Sequence, residues 1–254
     1  MTGSIAVIGL GPGHPDQVTP EASRALTAAD ELFGYGLYLE RVPERPGQLR
    51  HASDNRQELS RAGAALDRAA AGTSVAIVSG GDAGVFGMAA AVCEAIEEGP
   101  PAWRAVELRV VPGLTAVLAV AARVGAPLGH DFCVLSLSDN LKPWTLVERR
   151  LAAAAEAGFV LALYNPISRA RPWQLGRAFA LLTERLPATT PVVFGSHIGR
   201  TGEHVSVVPL AEADPAAADM STCIIVGSAA SRTVWRPGLP PLVYAPRAAS
   251  ETSR

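Results

Sequence analysis

Asp82 closes a glycine pair in Ser79-Gly80-Gly81-Asp82-Ala83-Gly84-Val85-Phe86-Gly87, a segment whose residue types suit ligand chemistry. Gly80 and Gly81 have no side chain to hold a ligand off the backbone, and Asp82 offers a hydrogen-bond acceptor beside them. A second glycine loop, Gly9-Leu10-Gly11-Pro12-Gly13-His14, comes near a dinucleotide-binding fingerprint. It carries His14 where the last glycine belongs, and Pro12 removes an amide that a pyrophosphate would use. Asp30 follows at ribose-binding spacing, so an NAD(P)-dependent oxidoreductase stays open as one reading. A third loop, Val110-Val111-Pro112-Gly113-Leu114-Thr115-Ala116, ends an apolar run in a Pro-Gly turn and offers the Thr115 hydroxyl. Further on, His130 and Asp131 stand side by side as residue types fit for general acid–base work.

Each glycine loop follows an apolar, β-branched run, which predicts strands over 5–9, 74–79 and 107–111. Further strands are expected over 132–137, 159–164, 191–195, 205–208 and 223–227, with helices over 20–29, 56–71, 87–97, 145–157 and 173–186. Thr19-Pro20-Glu21 is a helix start, with proline set for the first turn. Alternating strands and helices predict an α/β fold with mainly parallel pairing, and the Gly-Arg-Thr-Gly turn at 199–202 adds antiparallel pairing in the second half. The break at Val111-Pro112-Gly113 divides an N-terminal α/β domain, 1–112, from a C-terminal one, 113–247, with a frayed tail over 248–254. A ligand cleft between the two domains is expected.

Hydrophobic residues at 48% and charged residues at 18% describe a globular, enzyme-like chain. A net charge of −2 gives no general attraction for nucleic acid. The apolar stretch 110–129 is broken by Pro112, Gly113, Arg123 and Pro127, against a membrane span, and the N-terminus has no signal-peptide pattern. Cys93, Cys133 and Cys223 are expected as buried reduced thiols, without the spacing of a metal site, so no metal is expected. Lys142 is the chain's single lysine, and a Schiff-base mechanism would depend on it alone.

The three loops, in this order and spacing, resemble those of the class III, S-adenosylmethionine-dependent tetrapyrrole methyltransferases over roughly residues 3 to 245. Gly125-Ala126-Pro127-Leu128-Gly129-His130-Asp131-Phe132, Leu135-Ser136-Leu137-Ser138-Asp139, Tyr164-Asn165-Pro166 and Ala218-Asp219-Met220-Ser221-Thr222 are similar to the branch that methylates carbon 17 of precorrin-3B. Ala83 stands where many members carry proline. The resemblance implies two α/β domains with a mainly parallel N-terminal and a mixed C-terminal sheet, a homodimer, and a cytoplasmic enzyme of cobalamin biosynthesis. It implies methylation coupled to ring contraction, giving precorrin-4, with a cobalt-containing substrate or another corrin or uroporphyrinogen carbon as alternatives. S-adenosylmethionine is the implied cofactor and S-adenosylhomocysteine the product. Pro12, Gly80, Gly81, Asp82, Val85, Phe86, Thr115, Ala116, Tyr164, Asn165 and Thr222 are the implied cofactor contacts. Gly11, Gly13, His14 and Arg169 are the implied substrate contacts, with Arg149, Arg150 and Arg171 as further carboxylate-binding candidates. Asp82, His130 and Asp131 are the implied catalytic residues. A tetrapyrrole is the expected partner, with transient contacts to neighbouring pathway enzymes and none to nucleic acid or membrane.

Overall fold

The computed structural model describes residues 3–248, so the tail expectation falls outside the described residues from 249 onward. Two compact units, Met1–Ala116 and Val117–Arg254, make up the chain, the division lying four residues beyond the expected Pro112.

In the first unit the order is β1 (Ser4–Gly9), α1 (Pro20–Ala28), β2 (Glu31–Tyr35), α2 (Gly36–Leu39) and β3 (Leu49–Ser53). Then follow α3 (Glu58–Ala70), β4 (Ser74–Ser79), α4 (Met88–Glu98) and β5 (Glu107–Val111). The strands form one wholly parallel sheet in the order β3-β2-β4-β1-β5. Ile5, Val7 and Ile77 pack with Leu66 of α3 and Val92 of α4 on one face; Ile8 and Val78 pack with Leu26 and Leu32 on the other. Such two-sided burial explains the nearly continuous apolar strands. Thr19 caps α1, its hydroxyl accepting from the Ala22 N–H at 3.0 Å, and Pro20 opens the helix as expected.

β2 and β3 are absent from the sequence reading. Gly34 interrupts β2, yet a Cβ there would meet Val78 Cγ2 at 2.4 Å, so sheet packing selects the glycine. β3 is a polar edge strand, LRHAS, half-exposed along its length.

Across these strands Glu31, its side chain 3% exposed, accepts hydrogen bonds from Arg68 of α3 and from His51 Nε2 at 2.8 Å. The Arg68 bond, with smaller help from His51, holds the Glu31 carboxyl below its ordinary 4.5 despite burial. A lowered carboxyl pKa gives stability that is full above 4.5 and is lost as pH falls through the lower folded value. Glu31→Gln is therefore expected to lower the melting temperature at pH 7 by about 3–6 °C. It should also remove part of the acid dependence, read from urea midpoints between pH 7 and pH 3. An unchanged acid profile in the variant would assign that dependence to other groups.

The second unit begins within α5 (Ala116–Val124), a helix formed from the apolar run read as an interrupted stretch. β6 (Gly125–Ala126), β7 (Phe132–Ser136), α6 (Trp144–Glu156), β8 (Val160–Tyr164) and α7 (Gln174–Thr183) follow. β9 (Pro191–Ser196), β10 (His204–Pro209), β11 (Thr222–Val226), β12 (Arg232–Arg236) and β13 (Leu239–Tyr244) complete the unit. Its main sheet, β10-β9-β11-β8-β7, is mixed: β7 and β8 are parallel, while β8–β11, β11–β9 and β9–β10 are antiparallel. Leu161, Leu163, Ile224 and Phe194 bury one face against Leu151 of α6 and Leu175 and Leu182 of α7. A small sheet, β12-β13-β6, was not anticipated; Trp235 and Leu239 on it are 66% and 59% exposed.

The cysteine expectation holds only in part. Cys223 is buried and its thiol is pushed up to about 12 by that burial, whereas Cys133 is half-buried and Cys93 lies exposed on α4. All three are free thiols. No helix among the described residues is long and apolar enough to cross a membrane.

Candidate functional site

In a parallel sheet every strand ends at the same edge, and the loops leaving that edge are the natural place for a ligand. The first unit places Gly9, Ser79 and Val111 there, at the carboxyl ends of three adjacent strands. The three glycine loops are thereby brought together. Gly11 and Gly81 exchange two backbone hydrogen bonds of 3.0 Å, and the Gly113 N–H donates to Asp82 Oδ2 at 2.9 Å. Asp82 Oδ1 also accepts from the Gly84 N–H at 2.8 Å. Asp82 thus ties its own loop to the Pro-Gly loop rather than capping α4, which starts at Met88.

The absent side chains are used in two different ways. A Cβ on Gly9 would lie 2.7 Å from both Gly113 N and Gly81 O, and one on Gly113 would lie 2.3 Å from Gly81 O. Those glycines admit neighbouring backbone. Gly80 admits the Tyr38 ring, which a Cβ would meet at 2.7 Å. Gly81 differs. Its φ is +66°, and a Cβ there would meet only Thr115 Cα, at 3.9 Å. The space a side chain would fill beside Gly81 is therefore open to a ligand.

Val85 is half-buried, and Phe86 is 53% exposed with φ +53°. A bulky side chain held in the left-handed region costs about 1–3 kcal/mol, the kind of strain that collects at binding loops. Thr115 and Ala116 are half-buried at the start of α5. Pro12 and Gly13 are half-buried beyond Gly11, whose φ of +68° requires glycine. Exposed His14 is used locally, its Nδ1 accepting from the Asp16 N–H at 3.2 Å. Arg41 was missed by sequence reading. Its NH2 group donates to the Leu10 and Gly11 carbonyls at 2.9 and 2.8 Å, clamping the first loop from thirty residues away.

The second unit has its own edge. The ends of β7, β8 and β9 meet the start of β11 there, with Thr222 opposite Ser196 and Ile224 opposite Leu163. Asn165 Nδ2 donates to Ser136 Oγ at 2.9 Å, and the Thr222 and Ser196 hydroxyls lie 2.7 Å apart. Thr222 also donates to Asp219 Oδ1 at 2.8 Å. Asn165 and His197 follow their strands with φ of +51° and +52°. The Tyr164 hydroxyl accepts from the Val117 N–H at 2.8 Å and so fixes the first turn of α5. Ser196 and His197 lay outside every motif and Ser136 within one but without a role, because only the pairing register makes them neighbours.

His130 and Asp131 are not brought to this edge. They precede β7, at its amino end, where His130 Nδ1 accepts from the Asp131 N–H at 2.8 Å. Asp131 is 82% exposed, and its carbonyl accepts from the Val160 N–H at the start of β8. Arg169 is exposed, whereas Arg171, two residues on, is buried. A surface groove of about 360 Å³ between α6 and α7, lined by Glu148, Arg149, Arg177 and Arg185, includes none of the residues of the second unit's edge. Its charges are largely paired with one another, and nothing in it resembles a reacting site.

The family model described as Tetrapyrrole (Corrin/Porphyrin) Methylases matches residues 4–214. The chain belongs to the tetrapyrrole methylases. Membership removes the nicotinamide-dependent reading of the first glycine loop. This tetrapyrrole methylase is 63% identical to a precorrin-3B C(17)-methyltransferase of a Sinorhizobium species, over 97% of each chain. It is 42% identical to a probable cobalt-factor III C(17)-methyltransferase of Salmonella typhimurium, over 88% of this chain and 92% of that one. The crystal structure of a methyltransferase named CobJ superposes with a TM-score of 0.92 at 46% identity, covering 96% of this chain and all of the other.

Proposed function

We propose that this methylase transfers a methyl group from S-adenosylmethionine to carbon 17 of precorrin-3B, with ring contraction to precorrin-4 in cobalamin biosynthesis. The observation that carries the reading is the near full-length 63% identity to the Sinorhizobium protein named precorrin-3B C(17)-methyltransferase. The weaker 42% likeness to the cobalt-factor III relative favours the metal-free substrate over the cobalt complex.

The first unit's loops suit the cofactor. Bound there, S-adenosylmethionine supplies a methyl group made electrophilic by its positively charged sulfur. The open side of Gly81, bounded by Thr115, gives room against bare backbone. Phe86 offers an exposed aromatic face, which attracts a sulfonium as it attracts other cations. Pro12, Gly80, Val85 and Ala116 complete the proposed first-unit contacts, with Asp82 holding two of the loops in register. Tyr164, Asn165 and Thr222 are the proposed contacts of the second unit, where Asn165 is held in a strained backbone state. Gly11, Gly13, His14 and Arg169 remain proposed substrate contacts. His130 and Asp131 remain proposed for the proton transfers of ring contraction, although they lie at the amino end of β7 and not at the second unit's edge.

A homodimer in the cytoplasm, passing its product to neighbouring pathway enzymes, belongs to the same proposal. Exposed Trp235 and Leu239 offer apolar surface for a second copy.

The test supplies methyl-labelled S-adenosylmethionine with precorrin-3B or its cobalt complex. The expected product is labelled at carbon 17 and ring-contracted, from the metal-free substrate. Label at another carbon, an uncontracted product, or turnover of the cobalt complex alone would replace this reading.

A further inference from the structure

Most buried arginines in folded proteins find a carboxylate, because an uncompensated buried charge is costly. The ion-paired arginines of this chain, Arg68, Arg109, Arg123, Arg177 and Arg185, are exposed or half-buried. Among the described residues two arginines are buried: Arg61, which is held by the Ser53 hydroxyl and the Asp54 carbonyl, and Arg171. Arg171 is 9% exposed, and its guanidinium makes one hydrogen bond, from NH1 to the Asn165 carbonyl at 3.2 Å. Among the described residues no carboxylate pairs with it.

Its surroundings are also rich in donors. The backbones of Ser168 and Arg171 exchange two hydrogen bonds, of 3.1 and 2.9 Å, closing the loop that follows β8. Within that loop the buried Ser168 Oγ has no partner. The loop that follows β7 leads into Trp144, whose ring lies 5.0 Å from that of Trp173 and whose buried Nε1 has no acceptor. Lys142 stands just before it, its ammonium pKa lowered by desolvation and by Arg150. Asp139 is occupied by a neutral group: Gln174 Nε2 donates to both its oxygens at 3.1 Å.

We propose that Arg171 and the Ser168 hydroxyl form a seat for a peripheral carboxylate of the tetrapyrrole. The NH1 bond to Asn165 fixes the guanidinium plane, leaving other N–H groups to grip a carboxylate. Exposed Arg169 is then secondary to its buried neighbour, and Arg171 selects the free acid over a neutral ester. The seat rests on the tetrapyrrole reading above, but not on methyl transfer.

Direct binding tests it, using uroporphyrin octacarboxylic acid and its octamethyl ester as probes, followed by protein fluorescence. The wild-type protein should favour the acid by about tenfold or more. Arg171→Gln should bring the acid and ester affinities close together, with Arg171→Lys in between. Ser168→Ala should weaken acid binding a few-fold while keeping or raising the melting temperature, since it removes a buried hydroxyl without a partner. S-adenosylhomocysteine affinity should stay within about twofold in Ser168→Ala and Arg171→Lys. Equal wild-type affinity for acid and ester, absence of tetrapyrrole binding, or undiminished acid preference in Arg171→Gln would overturn the seat. So would a loss confined to S-adenosylhomocysteine, which would limit Arg171 to holding Asn165. Acid-selective binding that depends on Arg171, in a protein that does not methylate precorrin-3B, would uphold the seat and reject the proposed reaction.

Discussion

Gly113→Ala is expected to lower the melting temperature by about 5–10 °C and to weaken S-adenosylhomocysteine binding beyond ready measurement. The added methyl carbon would stand 2.3 Å from Gly81 O and 2.7 Å from Gly9 C, contacts that no Cβ sustains. Each neighbour is main chain, so no side-chain rotation relieves the clash. Each also belongs to another loop of the same edge, so all three loops must move. Gly81→Ala is the informative companion. Its Cβ meets nothing closer than 3.9 Å, leaving only the cost of φ +66°, about 1–2 kcal/mol. Calorimetric melting and titration should separate the two: a large stability loss for Gly113→Ala, and for Gly81→Ala a smaller loss with weakened ligand binding. A Gly113→Ala protein that melts within about a degree of wild type would show that the loops are not locked together.

That contrast also explains what was legible in the sequence. The glycine loops, their strands and the two-unit plan could be read because apolar β-branched runs, Gly-Pro turns and the Thr19-Pro20 start are local signals. The use of each glycine was not local. Gly9 and Gly113 face each other across a strand pairing, and only the placement of β1 between β4 and β5 makes them contacts. The same limit hid Arg41, which reaches the first loop from a segment with no motif. β2 and β3 escaped notice because a glycine chosen by Val78 and a polar edge weaken the usual strand pattern. His130 and Asp131 looked chemical by type. The direction of β7 places them at its amino end, away from Asn165 at the far end of paired β8. Arg169 and Arg171 were equivalent as letters and differ only in burial.

Asp82 carries the other large expected effect, because its carboxylate holds two loops with one group. Asp82→Ala removes the acceptors of both the Gly84 and Gly113 N–H groups. Hydrogen bonds to a charged acceptor contribute about 1.5–3 kcal/mol each, and losing both frees the Pro-Gly loop beside Thr115. Affinity for S-adenosylhomocysteine should fall about 10–100-fold, with turnover falling at least as far because small misplacements of reacting groups are costly. Asp82→Asn separates positioning from proton transfer. Its amide oxygen can still accept from Gly84, while its NH2 faces the Gly113 donor, so one tether survives and one is lost. If Asp82 positions the loops, the asparagine variant should keep intermediate affinity and intermediate turnover, the two falling together. If Asp82 also moves a proton, asparagine should keep the same intermediate cofactor affinity while turnover collapses to the alanine level. The two backbone bonds favour the first outcome, and a steady ratio of turnover to affinity across the three proteins would establish it.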